Sequence, residues 1–427
     1  MSWQAASLDQ LLPDDHRARV VWSFVAAMNL NRLYERIRAV EGGPGRDPID
    51  PRILMALWML ATIEGISSAR QLGRLCERDV AYMWICGGVG VNYHRLADFR
   101  SDHADVLDEL LTDTIATLMH QGLVTLETIA QDGMRVRARA GSDSFRSRKT
   151  LEKCRAEAAE QVQRLKEESD AESPGDPDAS NRRRRAARER AARERQECVE
   201  KALSELEQLE AARSQLKPSV QKKRKAPRAS TTDPDARVMK MPDGGFRPAA
   251  NVQYATDADT RMIVGVSISN VGSDRGEVPP MCDQLKQRYG RVPSTVIVDG
   301  GFLTKDDIRT LTADGIETIA PVHGRERMES RGNDPFARQR TDNDATVAFR
   351  HRMTTEAAQK KLKQRGSIAE FANAESRNRG LTQFRTRGLK RMLSEVLWQA
   401  LVFNFHRILN LKLLPAVLNP PLATEPL

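Results

Sequence analysis

Two short apolar runs, far apart in the chain, end in the same way. Thr128-Ile129-Ala130-Gln131-Asp132-Gly133 and Thr295-Val296-Ile297-Val298-Asp299-Gly300-Gly301 both read as buried strands that close in Asp-Gly. Ile263 to Ser269 alternates, with Val264, Val266 and Ile268 on one face. Lys305 to Asp314 reads as a helix and Ile316 to Val322 as a further strand. Strands alternating with helices predict an α/β sheet whose functional groups sit at the carboxyl ends of strands. A strand end holds its side chain rigidly, so Asp132 and Asp299 are the first candidates for shared chemistry.

The chain of 427 residues exceeds the usual ~100–200 residues per domain, so two or three folding units are expected. Residues 1–125 read as a helical N-terminal domain. An apolar helix from Ile53 to Ile63 stops near Gly65, and Ser67 or Ser68 caps a second helix carrying Leu72, Leu75 and Val80. A third runs from about Asp102 to Gly122, with Val106, Leu107, Leu110, Leu111, Ile115 and Leu118 on one face. Helix, glycine turn, helix is compatible with a DNA-binding helix-turn-helix bearing Arg70, Arg74 and Arg78 on its second helix. An ordinary bundle with solvated arginines fits equally well.

Residues 145–229 interrupt the sheet pattern with a different composition. Arg182 to Arg195 reads RRRRAARERAARER, and Leu203, Leu206, Leu209 and Leu216 follow at near-helical spacing. Pro174, Gly175 and Pro177 break the segment, which predicts an antiparallel helical hairpin. Lys217 to Arg228 is a basic linker without an acid; a DNA strap or a nuclear address competes with a plain solvated linker, which ranks first. The sheet domain then comprises 126–144 and 230–412, closing on a helix that carries Leu389, Met392, Leu393, Val396, Leu397, Leu401 and Phe405, with 413–427 as a tail.

Lys and Arg number 67 against 58 Asp and Glu, a formal charge of +9 that suits a polyanionic partner without proving one. The five cysteines include no CxxC pair, which argues against a disulfide scaffold or zinc ribbon and for a reducing compartment. No signal peptide and no bilayer-length apolar run is visible, so a soluble, intracellular protein is expected. Two aspartates with a third carboxylate on a nearby helix would form an oxygen cage for Mg²⁺ or Mn²⁺. Two such ions ~3.5–4 Å apart stabilise the attacking and leaving oxygens of a phosphoryl displacement without a histidine base. Asp-Gly after a strand is also a common turn, and that reading stays open.

Longer blocks carry a resemblance. GRDPIDPRILMALWMLATIEGISSARQLGRLCERDVAYMWICGG (residues 45–88), RLADFR (95–100), AQDGMRVRARAG (130–141), TTDPDARVMK (231–240), AANVQYATD (249–257), VIVDGGF (296–302) and residues 365–405 fall in the order found in bacterial insertion-sequence transposases of the DDE class. The resemblance implies a ribonuclease-H-like mixed sheet flanked by helices, with a helical N-terminal DNA-binding domain and an inserted helical hairpin. It implies Asp132, Asp299 and Glu370 as catalytic and metal-binding residues, holding Mg²⁺ or Mn²⁺, two ions in all. Arg70, Arg74, Arg365 and Arg377 are the expected DNA-binding residues. Arg377 fills the family's lysine slot seven residues after the glutamate and keeps its charge. Arg365 departs from the family, standing five residues before Glu370 instead of four, and Leu362 stands near the aromatic slot. Glu375 and Glu395 are rival carboxylates.

The implied activity is DNA transposition: metal-dependent phosphodiester cleavage at the terminal inverted repeats of the protein's own element, then strand transfer into target DNA. A homodimer or higher synaptic assembly, cytoplasmic and nucleoid-associated, with no membrane attachment, is implied with it. The alternatives are a decayed or repurposed DNA-binding protein that no longer cuts, and a nuclease with the same core that hydrolyses without joining. Asp257 and Asp274 are expected in turns, Asn251 and Gln253 in structural hydrogen bonds, and Trp58, Trp84 and Trp398 in the core.

Overall fold

The structure, a computed structural model, describes residues 7–37, 48–171 and 179–419. The chain opens with helices α1 (Leu8–Leu11), α2 (Arg17–Ala26), α3 (Asn31–Glu35), α4 (Pro51–Ile63), α5 (Ala69–Leu75), α6 (Val80–Cys86), α7 (Tyr93–Asp102) and α8 (Ala104–His120). The expected α4 is observed with Pro51 in its first turn and Asp50 accepting from the Arg52 N–H, and Ser68 caps α5 through the Gln71 N–H. The segment expected as one helix through Val80 is two. Asp79 accepts from the N–H groups of Ala81 and Tyr82 and so starts α6 afresh, because a short side chain that caps a new helix cannot continue an old one. Arg78 therefore lies beyond the end of α5.

Strand β1 (Thr128–Arg137) runs straight through Asp132 and Gly133 where the sequence suggested a turn. Gly133 is there for space: a Cβ at that position would collide with the side chains of Gln253 and Asp274. After β2 (Phe145–Arg146) come the long helices α9 (Arg148–Ala171) and α10 (Ala179–Ser214), and then α11 (Pro218–Lys223), which puts a short helix inside the basic linker. Arg148 binds Glu210 at 2.6 Å while Arg195 reaches Gln161 at 3.4 Å, so α9 and α10 run antiparallel. Leu151, Ala202, Leu203 and Leu206 form a small core of their own with Ala229 of β3 (Ala229–Ser230), the antiparallel partner of β2. Leu216 lies past the end of α10, and the Pro174, Gly175 and Pro177 break lies outside the described residues.

The main sheet adds β4 (Arg237–Lys240), β5 (Phe246–Asp257), β6 (Ile263–Ser269), β7 (Thr295–Ile297) and β8 (Glu317–Ile319). β5 lies antiparallel to β1, β4 and β6, whereas β7 is parallel to both β1 and β8. The order β6-β5-β1-β7-β8, three antiparallel strands followed by two parallel ones, is consistent with a ribonuclease-H-like core. The run through Val322 pairs only over β8 and is shorter than expected.

Helices α12 (Val278–Tyr289) and α13 (Lys305–Ala313) follow β6 and β7; the chain then passes through α14 (Arg325–Glu329), α15 (Asp344–Arg352), α16 (Glu356–Arg365), α17 (Phe371–Asn378), α18 (Leu389–Asn410) and α19 (Leu414–Leu418). Gln284 of α12 bonds both the N–H and the C=O of Val266. On α18, Asn404 does the same for Ile263, both bonds at 2.8 Å, so a side-chain amide finishes the free edge of β6. Trp58 and Trp398 are buried, their indole N–H groups donating to Leu96 O at 2.9 Å and Arg100 O at 3.2 Å. Trp84 is half-buried and donates to Asp9 at 3.0 Å. One continuous apolar core runs from Leu12 through the N-terminal helices and the sheet to Ile408 of α18. Among the described residues, no helix is long and apolar enough to cross a membrane, and the cysteines are free thiols.

Because the hairpin's apolar cluster is separate from this main core, replacing residues 150–225 with a short linker is expected to leave a single cooperative thermal transition. Loss of cooperative unfolding in differential scanning calorimetry would show instead that the hairpin belongs to the folding unit.

Candidate active site

Asp132 lies in the middle of β1, paired with Tyr254 of β5 and two residues beyond the last rung to β7. In the parallel pairing of β1 with β7, Ala130 stands opposite Ile297. Asp132 and Asp299 are each two residues beyond that rung, Asp132 still on β1 and Asp299 in the segment that follows β7. Asp299 is exposed, just past the end of β7, and its Oδ1 accepts the Gly300 N–H at 2.9 Å. Gly300 permits the loop to press close: a Cβ there would stand 2.8 Å from the Pro321 carbonyl oxygen.

Asp132 is half-buried, and Asn373 Nδ2 donates to its Oδ2 at 2.8 Å. Burial pushes the Asp132 carboxyl above its usual range; the Gly133 backbone N–H, the Arg365 guanidinium and Asn373 pull it back, while the Glu370 charge adds to the rise. Arg365 and Glu370 are thus near enough for Asp132 to feel both.

Glu370 closes a π-helical turn, Gly366–Glu370, inserted between α16 and α17. Its carboxylate lies back over Gly366 and accepts from Arg365 Nη2 at 2.9 Å. In an α-helix residues five apart point about 140° away from each other. A turn closed from i to i+5 lays them side by side instead. The extra residue between Arg365 and Glu370 is therefore absorbed by the turn. Phe371, next in sequence, packs edge-on against Phe403 of α18 with centroids 5.5 Å apart.

Among the described residues, no three side chains of His, Cys, Asp or Glu gather closely enough to hold a metal ion. Glu370 pairs with Arg365 at 2.9 Å, and the Arg365 charge also pulls the Asp132 carboxyl down; Asp299 follows β7, which is paired with β1 as far as Ala130. The donors these three offer are all carboxylate oxygens, the chemistry that hard divalent ions take, which fits the expected Mg²⁺ or Mn²⁺.

The rival acids are engaged elsewhere. Glu375 pairs with Arg379 at 2.7 Å. Glu395 is buried and accepts from the Arg385 N–H and from both the N–H and hydroxyl of Thr386. Asp257 is the expected turn residue, accepting from the Thr260 N–H and hydroxyl. Asp274 likewise opens a turn, its C=O accepting from the Glu277 N–H at 3.3 Å, and its carboxylate gathers Asn251 and Gln253 at 2.8 Å and Arg135 at 3.1 Å on the sheet face opposite Asp132. Arg377 is exposed with no ion pair among the described residues, and Leu362 is half-buried against the main core. Arg70 and Arg74 are exposed on α5, and the Arg70 guanidinium lies 5.3 Å from the Tyr93 ring centroid.

Asn373 escaped the sequence reading. Its one legible signal was its position three residues after Glu370, which places it on the same helical face.

Two family models match the chain. One, described as a transposase domain of the DUF772 type, covers residues 6–102; the other, a transposase DDE domain, covers residues 221–405. Together they support a DDE transposase. The DDE match includes Asp299 and Glu370 but not Asp132, which falls between the two matched stretches. No curated protein and no solved structure matches the chain.

Asn373 orients Asp132, and were Asp132 a metal ligand, as the resemblance implies, such a partner would typically contribute ~10–100-fold to metal affinity. Asn373→Ala is expected to weaken Mn²⁺ binding, measured by calorimetry, on that order while leaving the fold intact. Unchanged affinity would mean that Asn373 serves packing alone.

Proposed function

We propose that this protein is the transposase of an insertion sequence and that Asp132, Asp299 and Glu370 are its catalytic carboxylates, on a ribonuclease-H-like core. The observation that carries the reading is the placement of Glu370, on the π turn, within electrostatic reach of Asp132 on β1; Asp299 follows β7, the parallel neighbour of β1. The two transposase family matches support it from a separate direction.

In this reading the three carboxylates hold Mg²⁺ or Mn²⁺, as one ion or a pair. When bound, the metal supplies Lewis-acid activation of the attacking hydroxyl and stabilises charge on the phosphate. Asp132 is fixed by its pairing with Tyr254 of β5 and by Asn373, so one member of the ligand set is anchored to the sheet. Asp299 and Glu370 are both more exposed, which leaves their side open to a DNA backbone. Arg377, free of acidic partners among the described residues, is placed to bind a phosphate. Arg70 and Arg74 of the N-terminal helices would bind the element-end duplex, and their phosphate contacts would make binding fall with salt. The substrate is the terminal inverted repeat of the protein's own element, with strand transfer into target DNA by two or more protomers at synapsis.

Glu370→Gln is expected to abolish Mg²⁺-dependent cleavage of an element-end duplex, by at least about a thousandfold, the scale of losing an electrostatic catalytic group. Its affinity for that duplex should be preserved. Glu375→Gln should cleave like the parent. Full cleavage by Glu370→Gln would remove this residue from the site.

A further inference from the structure

The π turn raises a question that the function does not answer. A π turn is an α-helix carrying one extra residue, and it is less favourable than the α-helix it interrupts. Here the helix is pinned on both sides of the turn. Upstream, Lys361 of α16 reaches Thr295 Oγ1 at 3.0 Å and Arg352 of α15 pairs with Glu317 at 2.9 Å, tying this end to β7 and β8. Downstream, Asn373 of α17 is bonded to Asp132 on β1. Within the turn Ile368 and Ala369 are buried. With both ends and the middle fixed, the extra residue decides one thing: which side chain of α16 lies beside Glu370. That side chain is Arg365.

The Arg365 side chain is 21% exposed against 57% for Glu370, so the guanidinium occupies the inner position of the pair. It forms a single contact, Nη2 to Glu370 Oε1, and its charge also reaches Asp132. Asp132 is half-buried and feels the Glu370 charge, so the two acids repel unless a cation lies near both, and Arg365 is positioned to supply that charge.

We propose that Arg365 is a built-in counter-cation of the Asp132–Glu370 pair, held in register by the π turn, and that a divalent ion binding these carboxylates displaces it. Arg365 is then a positioning residue: it keeps the acids together before the ion arrives and must swing aside afterwards, which releases a guanidinium towards the DNA side of the site. The inference rests on the reading of Asp132 and Glu370 as cation ligands.

The test is Mn²⁺ binding to the full-length protein without DNA, followed by electron paramagnetic resonance or calorimetry. Arg365→Ala and Arg365→Gln remove the competing charge, so each is expected to bind Mn²⁺ more tightly, by roughly three- to tenfold for a partly screened charge. Arg365→Lys keeps the charge and the single contact and should bind like the parent. Arg377→Ala, an exposed control for general positive charge, should also bind like the parent. Deleting Ser367 converts the π turn to an α turn and leaves Arg365 four residues from Glu370. That variant should fold and retain the parent's Mn²⁺ affinity. Unchanged or weaker binding by both Arg365→Ala and Arg365→Gln overturns the counter-cation. A Ser367 deletion that fails to fold, or that binds Mn²⁺ as tightly as Arg365→Ala, overturns the register role of the turn. Asp132→Asn and Glu370→Gln separate the two levels of the claim. If neither weakens Mn²⁺ binding, the metal site itself is misassigned; if they do weaken it while the Arg365 variants behave like the parent, only the counter-cation is wrong.

Discussion

The candidate site depends on the double pairing of β1. Antiparallel hydrogen bonds to β5 over Ile129–Arg137 fix one edge, and parallel bonds to β7 over Thr128–Ala130 fix the other. A one-residue slip of register would turn every side chain of β1 to the opposite face. The two faces here are not interchangeable. One carries Asp132 with Tyr254, covered by the π turn and α17, where the Tyr254 hydroxyl meets Ser376 at 3.2 Å. The other carries Gln131, Gly133 and Arg135 into a polar network with Gln253, Asn251 and Asp274. That network needs Gly133, since any larger residue would collide with it. Buried amides bonded to one another specify one register far more sharply than apolar contacts do, so the reverse face of the sheet sets where Asp132 points.

The same economy joins the helical and sheet portions. α18 is buried along most of its length, touching α4, α7 and α8 on one side and β6 on the other. Removing the N-terminal helices would therefore strip the cover from α18 and unsettle the sheet it supports. The exposed arginines of α5 belong to a part of the molecule that is structurally continuous with the site. The hairpin is attached differently: its base is held to the sheet region by Lys201 with Asp235 at 2.8 Å and by an Arg237–Glu205 pair, and its apolar cluster is its own.

Much of this was legible in the sequence. Continuous apolar runs identified α4, β1 and β7, and a leucine-bearing charged segment identified the hairpin helices, because burial imposes those patterns directly. Both aspartates were legible because each closes an apolar run. What stayed hidden depended on tertiary neighbours. Gly133 looked like a turn residue, since a glycine required for close approach has the same letter as one required for a turn. The break between α5 and α6 turned on Asp79 acting as a cap. The five-residue spacing of Arg365 and Glu370 looked like a departure from pattern, because helical periodicity assumes 3.6 residues per turn and the π turn breaks that assumption. Asn373 had only its spacing from Glu370 to mark it; its bond to Asp132 exists only once α17 is laid against β1.

The central claim is that Asp132, Asp299 and Glu370 converge on shared divalent ions. Anomalous diffraction from crystals grown with Mn²⁺ and an element-end duplex tests it most directly. The account predicts anomalous peaks bounded by oxygens of all three carboxylates, with Mn²⁺ near the DNA backbone and Arg365 no longer on Glu370. Peaks elsewhere in the protein, or a Mn²⁺ site that excludes Asp132 or Glu370, would contradict it.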